Sequence, residues 1–205
     1  MKKIIYTINF AFIGSNTTSN ELENEIFIEY LKKIAIENNI KDKNNINESP
    51  LEFLIIFREI PIKIRLFLYK SLEHIRFNNE KITNIDVVVF IFNIFDLNSI
   101  SSFNNESLEV LKKDLSITSR ISVLAGIDLE NNNNVDKNRI SRNEMIEKSK
   151  DLDVLYTYEI KKDDRDISQF FEKILDDFVL KFYYSSPELF DLAKLYGKEL
   201  LEKSQ

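Results

Sequence analysis

The chain has 205 residues and a net charge of −6, with 43% hydrophobic and 12% aromatic residues, a length and composition that suit one domain around one hydrophobic core. With no cysteine and one histidine, His74, disulfides, thiolate metal sites and cysteine nucleophiles are excluded, as is any multi-histidine metal site. The acidic balance, with a pI near 5.1, makes the chain a poor candidate for direct nucleic-acid binding, which needs clustered cations.

No cleavable signal peptide is expected. Lys2 and Lys3 precede a short apolar run, but Asn9 interrupts it and no cleavage site follows. The most apolar stretch, residues 87–95, is too short to span a bilayer and lies between Asp86 and Asp96. The last residues carry no prenylation cysteine, so no membrane anchor of that kind is expected. The pairs Lys32-Lys33, Lys112-Lys113 and Lys161-Lys162 are flanked by acids and read as solvated edges.

Residues 3–13 form an apolar run ending at Gly14, the pattern of a buried central strand. Residues 15–20 read as a polar turn. Residues 21–36 place Leu22, Ile26, Tyr30, Leu31 and Ile34 on one helical face. Residues 38–49 are an asparagine-rich, loop-like insert, and residues 131–134 are a second asparagine patch. Residues 51–57 fit either helix or strand. Residues 62–69 alternate, with Ile62, Ile64, Leu66 and Leu68 opposite Lys63 and Arg65, which predicts a strand.

The second half alternates strand and helix. Strands are expected over 85–94, 121–127 and 154–160, and helices over 99–115, 141–152 and 167–183. Ser141 followed by Glu144 is a capping-box signature. Asp163, Asp164 and Asp166 precede the 167–183 helix, where they read as caps that favour its dipole rather than as a metal site. The stripe from Phe170 to Phe182 reads as core. Pro187 opens a further helix to about residue 202. This order predicts an α/β fold of three layers, with a mostly parallel sheet covered by helices on both faces. The expected division is a domain over 1–184, with an insert near 37–50, and a helical extension over 185–205.

Gly14 stands after a first strand and before a helix, where a phosphate-binding loop belongs. Such a loop reads GxxxxGK[ST], because backbone amides cradle phosphates, a lysine neutralises them and a hydroxyl holds magnesium. Here Ser19 falls at the second glycine, Asn20 at the lysine and Glu21 at the hydroxyl. A carboxylate about 4 Å from a phosphate would be repelled by roughly 4 kcal/mol at a moderate dielectric. The guanine-reading sequence NKxD would fall at Ala125-Gly126-Ile127-Asp128, where only the carboxylate of Asp128 remains. No DxxG follows the 62–69 strand. Gly14, Ser19, Asn20, Glu21, Ala125, Gly126 and Asp128 thus read as a degenerate nucleotide site. Neither GTP binding nor any cofactor, metal or enzymatic activity is expected.

In element order the chain resembles small GTPases. Over residues 63–197 it resembles more closely the centromere protein M family, whose fold is a small-GTPase domain without nucleotide motifs. The segments that carry this likeness are KIRLFLYKSL, IDVVVFIFNI, NNESLEVLKKD, ISVLAGID and VLYTYEI, with the added helix from Pro187. Residues 36–61 depart from the family pattern. The resemblance implies a nuclear, non-catalytic subunit of the inner kinetochore. Its implied partners are the helical-repeat centromere protein I and centromere proteins H and K. Leu189, Phe190, Leu192 and Leu195 are the candidate docking residues; the alternative is that this face packs on the domain itself. Two other readings are weighed: a non-nucleotide-binding adaptor of a trafficking or motor complex, and a divergent nucleotidase holding magnesium through Glu21 or Asp128.

Overall fold

The structure is a computed structural model and describes residues 3–15, 20–39, 50–72, 84–103, 121–128 and 139–204. The expectations for His74, for residues 40–49, for most of the 99–115 helix and for the asparagines at 131–134 lie outside these residues.

The described elements are β1 (Tyr6–Gly14), α1 (Asn20–Ile34), β2 (Glu37–Asn39), β3 (Leu51–Phe57), β4 (Ile60–Tyr69) and β5 (Val87–Asn93), then α2 (Leu97–Ser101), β6 (Ile121–Asp128), α3 (Arg142–Asp151), β7 (Tyr156–Lys161), α4 (Asp164–Ser185) and α5 (Pro187–Ser204). The seven strands form one sheet in the order β2-β3-β4-β1-β5-β6-β7. Strands β4, β1, β5, β6 and β7 are mutually parallel, while β2 and β3 run antiparallel at one edge. The chain is therefore α/β with a mostly parallel sheet and helices, as its alternating pattern predicts.

The central strands are apolar on both faces because both faces are covered. Phe10, Ala11, Phe12 and Ile13 of β1 are fully buried, and so is almost all of β5. One face packs Ile8, Phe10, Phe12, Val87, Val89 and Ile91 under α1, α4 and α5. The other packs Ala11, Ile13, Val88, Phe90 and Phe92 with Ile100, Phe103 and Met145. Helix α1 contributes Phe27 and Leu31, one turn apart. The ring of Phe27 meets Phe12 at 4.9 Å, Phe170 at 5.2 Å and Phe171 at 6.1 Å. The aromatic stripe of α4 is therefore core, as read.

Residues 51–57, ambiguous in sequence, are a strand. Their antiparallel register with β4 puts Leu51, Phe53 and Ile55 opposite Leu66, Ile64 and Ile62. Asn38 and Asn39, read as the start of a loop-like insert, instead belong to β2. The backbone ladder begins at Ile36, whose N–H donates to the Leu54 carbonyl at 2.8 Å, and then pairs Glu37–Asn39 with β3. Main-chain pairing at a sheet edge overrides the weak strand preference of asparagine.

Helix ends follow their sequence signals. Ser141 and Glu144 make the reciprocal capping box of α3. Asp163 caps α4, its carboxylate accepting from the Arg165 N–H at 2.9 Å. Asp166 accepts from the Lys161 N–H, and Asp164 pairs with Lys33 of α1 at 2.9 Å. All three aspartates thus have structural partners.

The β3–β4 turn consists of Arg58 and Glu59, both at positive φ (48° and 67°). Two such residues make the primed turn whose twist matches a hairpin. Without glycine or asparagine it is held by outside contacts. Arg58 pairs with Asp176 of α4 at 2.7 Å and Glu59 with Lys198 of α5 at 3.4 Å. Helix α5 passes so close to this turn that a Cβ on Gly197 would lie 1.9 Å from the Glu59 carbonyl oxygen. Glycine in a helix interior costs about 1 kcal/mol relative to alanine, and close approach is the return. Gly197→Ala is expected to destabilise the protein by about 2–4 kcal/mol, despite its better helix propensity, by forcing α5 off the hairpin. Urea unfolding checks this; a variant as stable as the parent would refute the packing account.

Candidate functional site

In a doubly wound parallel sheet, ligands meet the chain at the carboxyl ends of the strands, where the strand order reverses. Here that point lies between β1 and β5. The sheet register places Gly14 of β1 beside Ile91 of β5, Ile91 beside Ala125 of β6, and Ala125 beside Tyr158 of β7. Gly14 and Ala125 therefore share one row, two strands apart, or about 10 Å at ordinary strand spacing. The sequence-derived phosphate and base positions do converge on one edge of the sheet.

What converges carries little chemistry. Gly14 is buried at the end of β1. Asn20 and Glu21 open α1, and Ser19 lies outside the described residues. Ala125 and Gly126 are internal residues of β6, both buried. Gly126 has a packing role: a Cβ there would lie 2.7 Å from Ile94 Cγ2, 2.8 Å from Phe92 Cζ and 3.1 Å from Met145 Cε. The adjoining core thus gives this glycine a packing reason of its own. Asp128, half-buried, ends β6 in register with Lys161. The row Gly14–Ile91–Ala125 offers no side-chain donor, acceptor or charge.

Elsewhere among the described residues, no three His, Asp or Glu side chains are grouped so as to hold a metal ion. A shallow groove between α2 and α3 is lined by Leu97, Ile100, Ile140, Glu144, Lys148 and Asp151. Glu144 in it is already engaged in the capping box, which holds its carboxyl below the usual range through bonds from Ser141. Tyr156 donates to Asp177 at 2.6 Å, and this bond, with burial, pushes the phenol up to about 12.

The docking residues divide. Phe190 is 5% exposed and packs edge-on against Tyr183, so it belongs to the core and not to a free surface. Leu192 is half-buried. Leu189 and Leu195 remain exposed, at 40% and 53%. Sequence reading missed the neighbours Leu180, Tyr183 and Tyr184 of α4, exposed at 55%, 45% and 77%. Leu180 and Tyr184 are one turn apart, a spacing out of phase with the Phe170–Phe178 stripe, and that offset is the signal that could have found them. No described helix is long and apolar enough to cross a membrane.

The chain matches no protein-family model, and no curated protein matches it significantly.

One carboxyl responds to its setting. Asp86 accepts from the Asn9 N–H at 2.9 Å, but burial raises its pKa, against the lowering effect of that bond and of Lys181. The folded state thus holds this proton more tightly than the unfolded chain. The group's contribution to stability falls as pH rises from the ordinary carboxylate range through the raised value. Asp86→Asn keeps an acceptor for Asn9 and cannot ionise. Its stability relative to the parent, measured by urea unfolding, should rise between pH 4 and pH 7; a constant or falling difference would contradict this.

Proposed function

We propose that this chain is a small-GTPase-like domain that binds no nucleotide and works as a protein-binding subunit. The observation that carries the reading is the apolar row Gly14–Ile91–Ala125 at the switch point of the sheet, where phosphate and base would have to be held. The strand order, with an antiparallel hairpin beside the central strand β1, supports the small-GTPase layout over other doubly wound sheets. Asn20 and Glu21 at the start of α1 supply neither the cation nor the hydroxyl that phosphates and magnesium require.

Protein binding is supported by the apolar side chains left outside around the α4–α5 corner: Leu180, Tyr183, Tyr184, Leu189 and Leu195. Tyrosine is enriched at interfaces because it pairs a large apolar ring with a polar tip. In its specific form the proposal is a structural subunit of the inner kinetochore, acting in the nucleus at centromeres. This form rests on the likeness of segments in residues 63–197 to the centromere protein M family, and the helical-repeat partner centromere protein I, with centromere proteins H and K, follows from it.

Purification of the tagged chain at native level from dividing cells, followed by mass spectrometry, tests the assignment. Long helical-repeat and coiled-coil kinetochore proteins are the expected companions. Their replacement by membrane-traffic or motor subunits would discard the kinetochore form and favour the adaptor reading. Tyr184→Asp with Leu180→Asp should reduce recovery of the partner at least tenfold while leaving the melting temperature within about 2 °C of the parent. Unchanged recovery would remove the α4–α5 corner from the interface.

A further inference from the structure

The groove between α2 and α3 lies on the face of the sheet opposite the α4–α5 corner. Met145 of α3 and Ile100 of α2 pack into the layer that holds Ala11, Ile13, Val88 and Phe90, whereas α4 packs on the other layer. The floor of the groove is apolar, formed by the buried side chains of Ile100 and Ile140. One wall is Leu97, which opens α2 and is 49% exposed. The other wall is α3. Glu144, Glu147, Lys148 and Asp151 stand at i, i+3, i+4 and i+7, so they share one face of the helix over about 10 Å.

Internal contacts do not account for all of these carboxylates. Glu144 is held in the capping box. Glu147 and Asp151 are exposed and have no ion-pair partner among the described residues. Asp151 is the last residue of α3, where the negative end of the helix dipole disfavours a carboxylate. The groove has a volume of about 260 Å³, below the roughly 300–1,000 Å³ usual for a small-molecule pocket. It therefore suits side chains of a peptide better than a whole small molecule.

We propose that the α2–α3 groove is a protein-docking surface whose occupant is a short basic amphipathic segment of a partner, with an aliphatic residue flanked by lysine or arginine. The aliphatic side chain lies on Ile100 and Ile140 against Leu97, as an apolar anchor does when a helical segment is held in a groove. The cations meet Glu147 and Asp151. Charges at a rim add little affinity but set the choice of partner and the rate of encounter. Three carboxylates against Lys148 leave this rim acidic, so it selects a basic segment and rejects an acidic one. The inference goes beyond the preceding section and does not rest on the nucleotide reading. Because the groove and the α4–α5 corner lie on opposite faces of the sheet, one partner on each leaves the other free to bind.

The test selects random phage-displayed peptides of about 12 residues, some three turns when helical, on the full-length wild-type chain. Enriched peptides are synthesised and titrated by fluorescence polarisation. They should carry an aliphatic residue beside lysine or arginine. Leu97→Asp should weaken their binding at least tenfold, and Glu147→Lys with Asp151→Lys by about three- to tenfold. Tyr184→Asp with Leu180→Asp should leave it unchanged, which separates this surface from the α4–α5 corner. The three substituted groove residues are exposed, so these variants should melt within about 2 °C of the parent. If Leu97→Asp does not fold, the charge-reversal variant decides. A lack of enrichment, enrichment of acidic or uncharged peptides, or binding that either folded groove variant leaves intact would overturn the proposal. So would a wild-type chain that dimerises in sedimentation while Leu97→Asp stays monomeric, since the occupant would then be a second copy.

Discussion

Burial of β1 from both sides is the constraint on which the rest of the molecule depends. Phe10 and Phe12 face α1 and α4, while Ala11 and Ile13 face the opposite layer, and none of the four touches water. Fully burying an aromatic or aliphatic side chain contributes about 1.5–3 kcal/mol, so this strand anchors both layers at once. Its neighbours β4 and β5 follow in parallel register, and the strand order then fixes where the sheet opens at its carboxyl edge. The place where a ligand would enter is thus a consequence of packing, set before any side-chain chemistry is considered.

At that edge packing has prevailed over recognition. Gly126 is required by Ile94, Phe92 and Met145 beside it, and Ala125 continues the buried strand. A side chain able to read a base would have to displace that core. The carboxylate of Glu23 sits fully buried in the first turn of α1. On the far side of the molecule the hairpin turn Arg58-Glu59 is clamped by α4 and α5, with Gly197 at the closest approach. The helical extension thus packs directly on the β3–β4 hairpin. Leu189, Leu195 and Leu201 are the apolar residues of the extension left facing outward among the described residues.

Elements whose sequence period matches their burial were legible without coordinates. The runs in β1 and β5, the alternation in β4, the capping box of α3 and the aromatic stripe of α4 each state their surroundings locally. Elements decided by a distant partner were not. Residues 51–57 become a strand through pairing with β4, and Glu37–Asn39 through pairing with β3. The packing roles of Gly126 and Gly197 depend on side chains and a carbonyl far along the chain, so spacing alone does not show them. Phe190 shows the same limit: a helical face can be recognised in sequence, but which of its apolar residues turn inward depends on what it packs against.

The absence of a working nucleotide site is the claim from which the scaffold reading and the protein-binding role both follow. Its most direct test is a titration of the purified wild-type chain with a fluorescent guanine nucleotide in magnesium, together with acid extraction to detect any nucleotide carried through purification. The account predicts no extracted nucleotide and no saturable signal up to about millimolar ligand, where a site would bind with only about −4 kcal/mol. Stoichiometric nucleotide in the extract, or saturable magnesium-dependent binding in the micromolar range, would contradict it.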